Sequence, residues 1–458
     1  MKLSIEQVEN AIVQFIGKDV EAVARATGFV QRASALNGRA FLRALVLGLV
    51  EKDDLTLSAL AQVCADNGIE ITPQGLDQRL TDKAVAFLKM MFARAIHMFK
   101  NQIPLPLSIL QQFNGVYLTD SSVIALPDCL ATDYQGCGGN GPQASLKIQL
   151  VFEFLMCNVS QVALRPGREP DQSYRDYVQA IPEGALSITD LGYFVLDALK
   201  AIGWEQNAYF LSRFSTHTGL LTADGQPFNL LEQLRNGPRA PIEFAVLLGK
   251  QAKHRLPCRL IAVPVPQEVG DRRRQKAIKK AQCQKKGIAE EVLALMDWTI
   301  LVTNAPAEKL SIEHIAILYA VRWQIELVFK LWKSHCGLRR VAGFRRERIL
   351  VELYGKLIGA VLTHFLIAPL RMPEGALANR EISPVKVRNI FRRFARQLNR
   401  CLDCPVEFQA ALADMLTHIQ RFGFKEKRTK EPNTCHALAL ASAVWNVQLN
   451  VPAETPLA

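Results

Sequence analysis

Two kinds of hydrophobic spacing divide the chain. Residues 1–105 place apolar side chains at helical intervals and contain few strand signals. From Gly115 onward the spacing changes, and GVYLTDSSVIALP, SLKIQLVFEFL and QVALRP have the apolar patterns of β-strands. ALSITDLGYF and NAYFLSRFS are two further strands, with helical stretches before and between them. The spacing therefore predicts an all-α N-terminal region followed by a mixed α/β region.

The order of these elements indicates a fold class. Three strands, a helix, a strand, a helix and a strand are the order of a ribonuclease H-like α/β fold. Residues 215–305 interrupt it with the strands PIEFAVLLG and CRLIAVPVP and the basic helix RRRQKAIKKAQCQKK, which indicates a mostly β insertion. Beyond Gly337 almost everything is helical. We expect five parts: a helical N-terminal domain (1–105), the first part of the core (106–214), the insertion (215–305), a helix that completes the core (306–345) and a helical C-terminal region (346–458).

The helix that completes the core has two different faces. LYAVRWQIELVFKLWK, from Leu318 to Lys333, contains no Pro or Gly and is predicted to form one uninterrupted helix. Its apolar side chains are Val321, Ile325, Val328 and Trp332, and its opposite face carries Tyr319, Arg322, Glu326, Lys330 and Lys333. This polar face has two interpretations: a surface held by ion pairs four residues apart, or a metal-binding carboxylate among cations that hold a phosphate backbone.

A helix pair in the N-terminal region also has two interpretations. LTLSALAQVCADNG runs as an amphipathic helix to Gly68, and the next helix begins with Thr72 as N-cap and Pro73 at its first position. Two short helices joined by a tight turn are compatible with a helix-turn-helix or with an ordinary αα-hairpin. In the first case, the side chains facing bases or the DNA backbone are Gln74, Gln78 and Arg79.

Composition narrows the choice of partners. The 458 residues include 55 Lys and Arg against 43 Asp and Glu, a net charge of +12, which favours nucleic acid. The first residues, MKLSIEQVENAIVQF, lack the features of a signal peptide, and the apolar run from Leu357 to Leu370 is too short to span a bilayer, so we interpret it as a buried helix. Ten scattered cysteines are typical of reduced thiols in a cytosol.

Three acids are candidates for one catalytic site. We place Asp120 at the end of the first strand, Asp190 at the end of the fourth, and Glu326 on a helix that can pack beside the sheet. Converging carboxylates repel one another unless cations neutralise them, and two Mg²⁺ ions about 3.5–4 Å apart do so while holding both oxygens of a phosphoryl displacement. Each acid also has an ordinary alternative, since Asp120 could cap a turn, Asp190 could cap a helix and Glu326 could be an ion-pair partner.

These residues resemble a known signature. Tyr319, Arg322, Glu326 and Lys333, with two, three and six residues between them, match the YREK signature of bacterial DDE transposases of insertion-sequence family four. RWQIELVFK is similar to the family's usual form of that segment, and WTILVTN resembles the segment before it. Asp120 in LTDSS and Asp190 in TDLGYF resemble the family's two catalytic aspartates. The resemblance covers the chain from about Val116 to Gly337.

The resemblance implies an activity and its partners. It implies a transposase that cuts double-stranded DNA at transposon ends and joins these ends to target DNA. The reaction would depend on two Mg²⁺ ions, with Mn²⁺ as a substitute. The protein would act as a homodimer in a synaptic complex and would not bind a membrane. Tyr319, Arg322 and Lys333 then hold phosphate near the transposon end, with Lys330 on the same DNA-binding face. Trp298 resembles the aromatic that receives a flipped base, although an ordinary core Trp is equally compatible. The alternative function is an inactive relative that binds ends without cutting.

Two other features are less specific. Cys401 and Cys404 form a CxxC with Cys435 and His436 downstream, which is weak evidence for zinc. The basic runs 272–280 and 388–400 have three interpretations: solvated faces, DNA contact, which their number and the net charge favour, or compensation of local acids.

Overall fold

The computed structural model describes residues 5–426 apart from 18, 252–254, 284, 286, 342 and 372–379, together with Leu438. It shows a mixed α/β protein with one nine-stranded sheet and flanking helices. The strands are β1 (Val116–Leu126), β2 (Ala144–Glu153), β3 (Asn158–Pro166), β4 (Leu186–Thr189), β5 (Tyr209–Arg213), β6 (Leu220–Leu221), β7 (Ile242–Leu248), β8 (Leu256–Pro264) and β9 (Trp298–Thr303).

The α-helices lie mostly before and after the sheet. They are α1 (Ile5–Phe15), α2 (Asp19–Ala26), α3 (Gly38–Glu51), α4 (Leu57–Ala65), α5 (Pro73–Arg79), α6 (Asp82–Met98), α7 (Ser108–Gln111), α8 (Leu196–Lys200), α9 (Leu230–Asn236), α10 (Gln267–Cys283), α11 (Glu290–Ala294), α12 (Ile315–Ala320), α13 (Trp323–His335), α14 (Arg346–Ile367), α15 (Pro384–Cys401) and α16 (Pro405–Phe422).

The central strands β1 to β5 follow one another along the chain in the predicted order. The strands are arranged β3-β2-β1-β4-β5-β9-β8-β7-β6. Pairs β3/β2 and β2/β1 are antiparallel, whereas β4 lies parallel to both β1 and β5. The helical stretch predicted before β4 is instead two 3₁₀-helices, Asp171–Ser173 and Asp176–Ala180. Since β4 pairs with β1 only over residues 116–119, the second half of β1 pairs with β2 alone.

The strands of residues 215–305 extend the same sheet. β9 pairs antiparallel with β5 and with β8, and β7 and β6 follow towards the sheet edge. The predicted basic helix is present as α10, and Arg273 on it donates hydrogen bonds to the Trp298 carbonyl (3.1 Å) and the Thr299 hydroxyl (3.0 Å). These contacts attach α10 to the first residues of β9.

The prediction of one uninterrupted helix from Leu318 to Lys333 is wrong. α12 ends at Ala320 and α13 begins at Trp323. Between them the backbone stays right-handed, but its hydrogen bonds tighten to a three-residue spacing: Arg322 N–H donates to the Tyr319 carbonyl (3.1 Å) and Ile325 N–H to the Arg322 carbonyl (3.2 Å). The apolar face is buried as predicted, with Val321, Ile325, Val328 and Trp332 at most 6% exposed.

The N-terminal and C-terminal helices share one hydrophobic core. α14 packs against α3 and α6, and α3 also packs against α15. α14 is long and apolar enough to cross a membrane by length and composition, but its apolar window is entirely buried inside the protein. Trp332 Nε1 donates to Nε2 of His364 on α14 (2.9 Å), and burial lowers the pKa of His364 to about 3. This hydrogen bond connects α13 to α14.

At the N-terminal turn the predicted start of the second helix is confirmed, whereas the first helix, predicted to run to Gly68, ends at Ala65. Gly68 has φ +73°, and the Thr72 hydroxyl accepts a hydrogen bond from Gly75 N–H (3.1 Å) at the start of α5. Gln74 and Gln78 are exposed, whereas Arg79 donates to Ser34 Oγ (3.3 Å).

The basic run on α15 compensates local acids. Arg392 pairs with Asp53 (2.5 Å), Arg396 with Glu51 (3.1 Å) and Arg400 with Asp66 (2.9 Å). These acids belong to or follow helices α3 and α4, so the run fixes the C-terminal region against the N-terminal one. On α10, by contrast, Lys276, Lys279 and Lys280 are exposed. Of the weak zinc candidates, Cys435 and His436 lie outside the described residues.

Candidate active site

Two aspartates lie where β4 ends. Asp190 directly follows β4, and its Oδ1 accepts a hydrogen bond from Gly192 N–H (2.8 Å), which caps the 3₁₀-helix Leu191–Tyr193. The expected place of Asp120 at the end of β1 is wrong, because β1 continues to Leu126. Asp120 is instead the first residue of β1 beyond its pairing with β4. Both aspartates therefore lie at one edge of the parallel strands, and the ordinary capping role considered for Asp190 is real as well.

Glu326 reaches this edge through Arg322. α13 packs against β1. Arg322 Nη2 lies 2.6 Å from Glu326 Oε1, and its Nη1 lies 3.4 Å from Asp120 Oδ2. One guanidinium therefore bridges an acid of the sheet and an acid of the helix. The ion-pair interpretation of the polar helix face is correct for Arg322 and Glu326, while no ion pair joins Glu326 to Lys330 among the described residues.

The acids affect one another electrostatically. The pKa of Asp120 is raised to about 7, first because the carboxyl is buried. The Ser121 N–H, which donates to Asp120 Oδ1 (2.8 Å), opposes this shift, as does the charge of Arg322. The charges of Asp190 and Glu326 raise the pKa further. A cation at this edge would favour the ionised form of Asp120.

The acids are chemically suited to a divalent cation. Carboxylate oxygens are the donors that Mg²⁺ prefers, and a buried acid beside two others gains from a positive charge. Among the described residues, however, no group of three or more His, Cys, Asp or Glu side chains is arranged to hold one metal ion. Arg322 supplies the positive charge between Asp120 and Glu326 instead. The residue types fit the metal, and the side-chain arrangement is that of a guanidinium bridge.

Of the other cations of the helix face, Lys333 lies close to Asp120. Lys333 Nζ donates a hydrogen bond to Ser122 Oγ (2.7 Å). Asp120 precedes Ser122 by two positions in β1, so the two side chains project from the same side of the strand. Burial lowers the pKa of Lys333, as does nearby Arg339, while Asp120 opposes the shift. Burial raises the pKa of Tyr319 to about 12, against the effect of Arg322. Lys330 is exposed.

Trp298 lies at the same edge of the sheet. Because β9 runs antiparallel to β5, its first residue lies near the end of β5. The Trp298 side chain is partly buried and packs against the core cluster that includes Phe210 and Leu260. This packing agrees with the core alternative, while the position agrees with the DNA-facing one.

One cation was missed by the sequence analysis. Arg213 is the last residue of β5 and is exposed. Its charge affects the pKa values of both Tyr319 and Arg273, which places it close to both. The sequence did contain a signal for this residue, because Arg213 is a basic residue at the end of NAYFLSRFS, the predicted strand that follows Asp190.

Known proteins with related sequences match most of the chain. Residues 111–362, more than half of the chain, match the family model described as transposase DDE domain. The transposase for insertion sequence element IS231F of Bacillus thuringiensis subsp. israelensis is 25% identical over 456 residues, which cover 93% of this chain and 94% of the relative. The transposase for insertion sequence element IS1151 of Clostridium perfringens is 24% identical over 454 residues, which cover 92% and 93%.

A solved transposase structure also aligns with most of the chain. The cryo-EM structure of the piggyBac transposase synaptic complex with hairpin DNA aligns with a TM-score of 0.45 at 10% identity, covering 93% of this chain and 87% of that one. The family match and the full-length similarity to insertion-sequence transposases give one conclusion. The chain belongs to the family of transposases with a DDE domain.

Proposed function

We propose that this protein cuts DNA at the ends of an insertion sequence and joins those ends to target DNA, with Asp120, Asp190 and Glu326 as its catalytic acids. The observation that carries the proposal is geometric: Asp120 and Asp190 lie at the edge where β4 stops pairing with β1, and Arg322 joins Asp120 (3.4 Å) to Glu326 (2.6 Å). We further propose that the core is ribonuclease H-like and that the chain is in the YREK group of insertion-sequence family four. The strand order and the helix signature support both assignments.

The acids are proposed to hold two Mg²⁺ ions, with Mn²⁺ as a substitute. When bound, such ions activate the attacking oxygen and stabilise the leaving oxygen, first for water and then for a 3′-hydroxyl. Asp120 must lose its proton to serve as a ligand. Arg322 must release Asp120 and Glu326, and its planar fork is then free to hold a phosphate through two hydrogen bonds.

The neighbouring side chains are proposed to hold the DNA end. Tyr319 keeps its proton at neutral pH, since its pKa is about 12, so its hydroxyl donates a hydrogen bond to a phosphate oxygen. Lys333 exchanges Ser122 for a phosphate, and exposed Lys330 adds charge along the backbone. Trp298 at the start of β9 and Arg213 at the end of β5 are proposed to contact the terminal nucleotides.

The remaining assignments concern partners. We propose that residues 1–105 bind transposon ends, with Gln74, Gln78 and Arg79 towards the DNA. We also propose that the C-terminal region contributes to a homodimer or to DNA contact in a synaptic complex on double-stranded DNA.

The test compares cleavage with end binding. Asp120→Asn, Asp190→Asn and Glu326→Gln remove charge with little change in shape, and each is expected to abolish nicking in Mg²⁺ while end binding in a gel shift stays within about twofold, because affinity comes from basic groups elsewhere. Exposed Asp128→Asn is the matched control. Near-normal nicking by any one of the three variants removes that residue from the site. End binding without nicking by the unsubstituted chain supports the inactive relative.

A further inference from the structure

A fourth acid, Asp171, lies on the opposite face of β1 from α13. It follows β3 in the 3₁₀-helix Asp171–Ser173. Its Oδ1 accepts hydrogen bonds from Ser121 Oγ (2.8 Å), Lys147 Nζ (3.0 Å) and Gln149 Nε2 (3.0 Å). Ser121 and Gln149 are directly opposed on β1 and β2, and successive side chains of a strand point to opposite faces. Ser121 therefore faces Asp171 while Asp120 faces α13.

The contacts of Asp171 lead to both catalytic aspartates. Ser121 donates its hydroxyl to Asp171 and its N–H to Asp120 Oδ1 (2.8 Å). On the other side, Gly192 donates its N–H to Asp190 Oδ1 (2.8 Å), and its Cα lies so close to Asp171 that an added Cβ would be 3.5 Å from Asp171 Oδ2. The Asp171 carboxylate thus accepts a hydrogen bond from the segment that supplies an N–H donor to Asp120, and it lies beside the segment that supplies one to Asp190.

The network behind Asp171 is buried and anchored. The Lys147 side chain is only 9% exposed, and its Nζ also donates to the Glu169 carbonyl (2.6 Å). The hydroxyl of Tyr193, which is the residue after Gly192, donates to Gln149 Oε1. A buried ammonium requires a counter-ion, and Asp171 pairs with this one.

We infer that Asp171 is a positioning residue for the metal-binding aspartates. It fixes Ser121 and lies beside the Gly192 turn, where backbone N–H groups hold one oxygen of Asp120 and one of Asp190. The other oxygen of each aspartate would then be available to a metal ion once Arg322 releases Asp120. Outer partners that orient carboxylate ligands commonly change metal affinity about 10- to 100-fold when removed. The inference rests on the proposed function, since it concerns the metal ligands named there.

The experiment measures metal binding separately from catalysis. Asp171→Asn removes the charge and keeps an acceptor oxygen, and Ser121→Ala removes the hydroxyl link while leaving the Lys147 pair. Mn²⁺ affinity of the DNA-free protein is measured by calorimetry, and the half-saturating Mn²⁺ concentration for nicking is measured beside it. Both variants are expected to weaken Mn²⁺ binding and raise the half-saturating concentration by about tenfold or more. At saturating Mn²⁺ the nicking rate and end binding change little.

Two controls make the result decisive. Asp176→Asn changes an exposed acid in the next 3₁₀-helix and is expected to match the unsubstituted protein. Asp120→Asn tests the proposed function in the same assays.

The outcomes distinguish the positioning role from the proposed function. If Asp120→Asn abolishes nicking while the Mn²⁺ affinity of Asp171→Asn and Ser121→Ala is unchanged, the positioning role is wrong and the proposed function stands. A lowered melting temperature with unchanged metal dependence likewise reduces Asp171 to a structural acid. If Asp171→Asn does not fold, Ser121→Ala alone decides. Normal nicking by Asp120→Asn removes Asp120 from the proposed catalytic site, whatever the Asp171 variants show.

Discussion

Replacing Arg322 tests whether its guanidinium takes part in catalysis or only forms ordinary ion pairs. Its guanidinium is 20% exposed and touches Glu326 at 2.6 Å and Asp120 at 3.4 Å. Helix pairs four residues apart contribute about 0.3–0.5 kcal/mol, and the longer contact to Asp120 adds no more than about 1 kcal/mol. Arg322→Ala also leaves Asp120 without its compensating charge, and we expect its pKa to rise further.

The catalytic effect should be much larger than this. A donor aimed at developing phosphate charge is worth on the order of 10²–10³ in rate when it is removed. We therefore expect Arg322→Ala to slow cleavage of pre-nicked end DNA by about 100-fold or more while the free energy of unfolding changes by about 1 kcal/mol or less. Arg322→Lys keeps the charge but loses the planar fork, so it should recover only part of the rate.

The assay pairs single-turnover cleavage with thermal melting for both variants and for Lys333→Ala. Arg272→Ala, an exposed arginine on α10, is the matched control for loss of one positive charge. Full activity of Arg322→Ala, Arg322→Lys and Lys333→Ala would show that the polar face of the helix is ordinary protein surface. Equal slowing by Arg272→Ala would show that only total charge matters.

Three further predictions use different measurements. The pKa of Asp120 is raised to about 7 in the folded protein, so the metal-free protein loses stability as the pH rises from about 4 through 7 and Asp120 ionises. Asp120→Asn cannot ionise and should therefore melt at a higher temperature than the unsubstituted protein at pH 8. The difference in melting temperature should vanish near pH 4. Gln74→Ala with Gln78→Ala in the full chain should reduce the preference for end DNA over scrambled DNA without changing the melting temperature, because both side chains are exposed; unchanged preference in gel shifts would remove α5 from recognition. Trp332→Phe should lower the free energy of unfolding by about 1–3 kcal/mol in denaturant titration, because the buried Nε2 of His364 loses its donor.

The strands were predictable because their signal is local. Alternating apolar residues and turn residues set the bounds of β1 within one residue of GVYLTDSSVIALP, and the order of the central strands along the chain was predictable in the same way. The position of Asp120 within β1 was not predictable in the same way. The edge that matters is where β4 stops pairing, after Thr119, and that depends on the length of another strand.

The interruption of the active-site helix had no local signal. No Pro or Gly occurs near Val321, and every backbone angle there remains helical. The change is a shift of hydrogen bonds to a tighter spacing, which the residue types do not encode. It lies between Tyr319 and Glu326, so the signature residues belong to two helices whose relative rotation differs from that of one continuous helix.

The Asp171 network was also beyond the sequence, for a related reason. Asp171, Lys147 and Ser121 are separated by 24 to 50 positions along the chain, and the pairing of β1 with β2 brings the side chains of Ser121 and Lys147 to one face. An acid after a strand is common, and this one had no distinguishing neighbour in the sequence.

The net charge indicated the class of partner correctly, but it did not indicate which basic residues are available to bind DNA. The run 388–400 contributes several arginines to the total of +12, yet α15 uses them against Asp53, Asp66 and Glu51. An arginine already paired with an acid releases few counterions on DNA binding, so it adds little to the salt dependence of affinity. The charge available to DNA must therefore come chiefly from exposed groups such as Lys276, Lys279 and Lys280 on α10 and from the helix face beside Asp120. The number of phosphates neutralised should accordingly be smaller than the net charge of the chain.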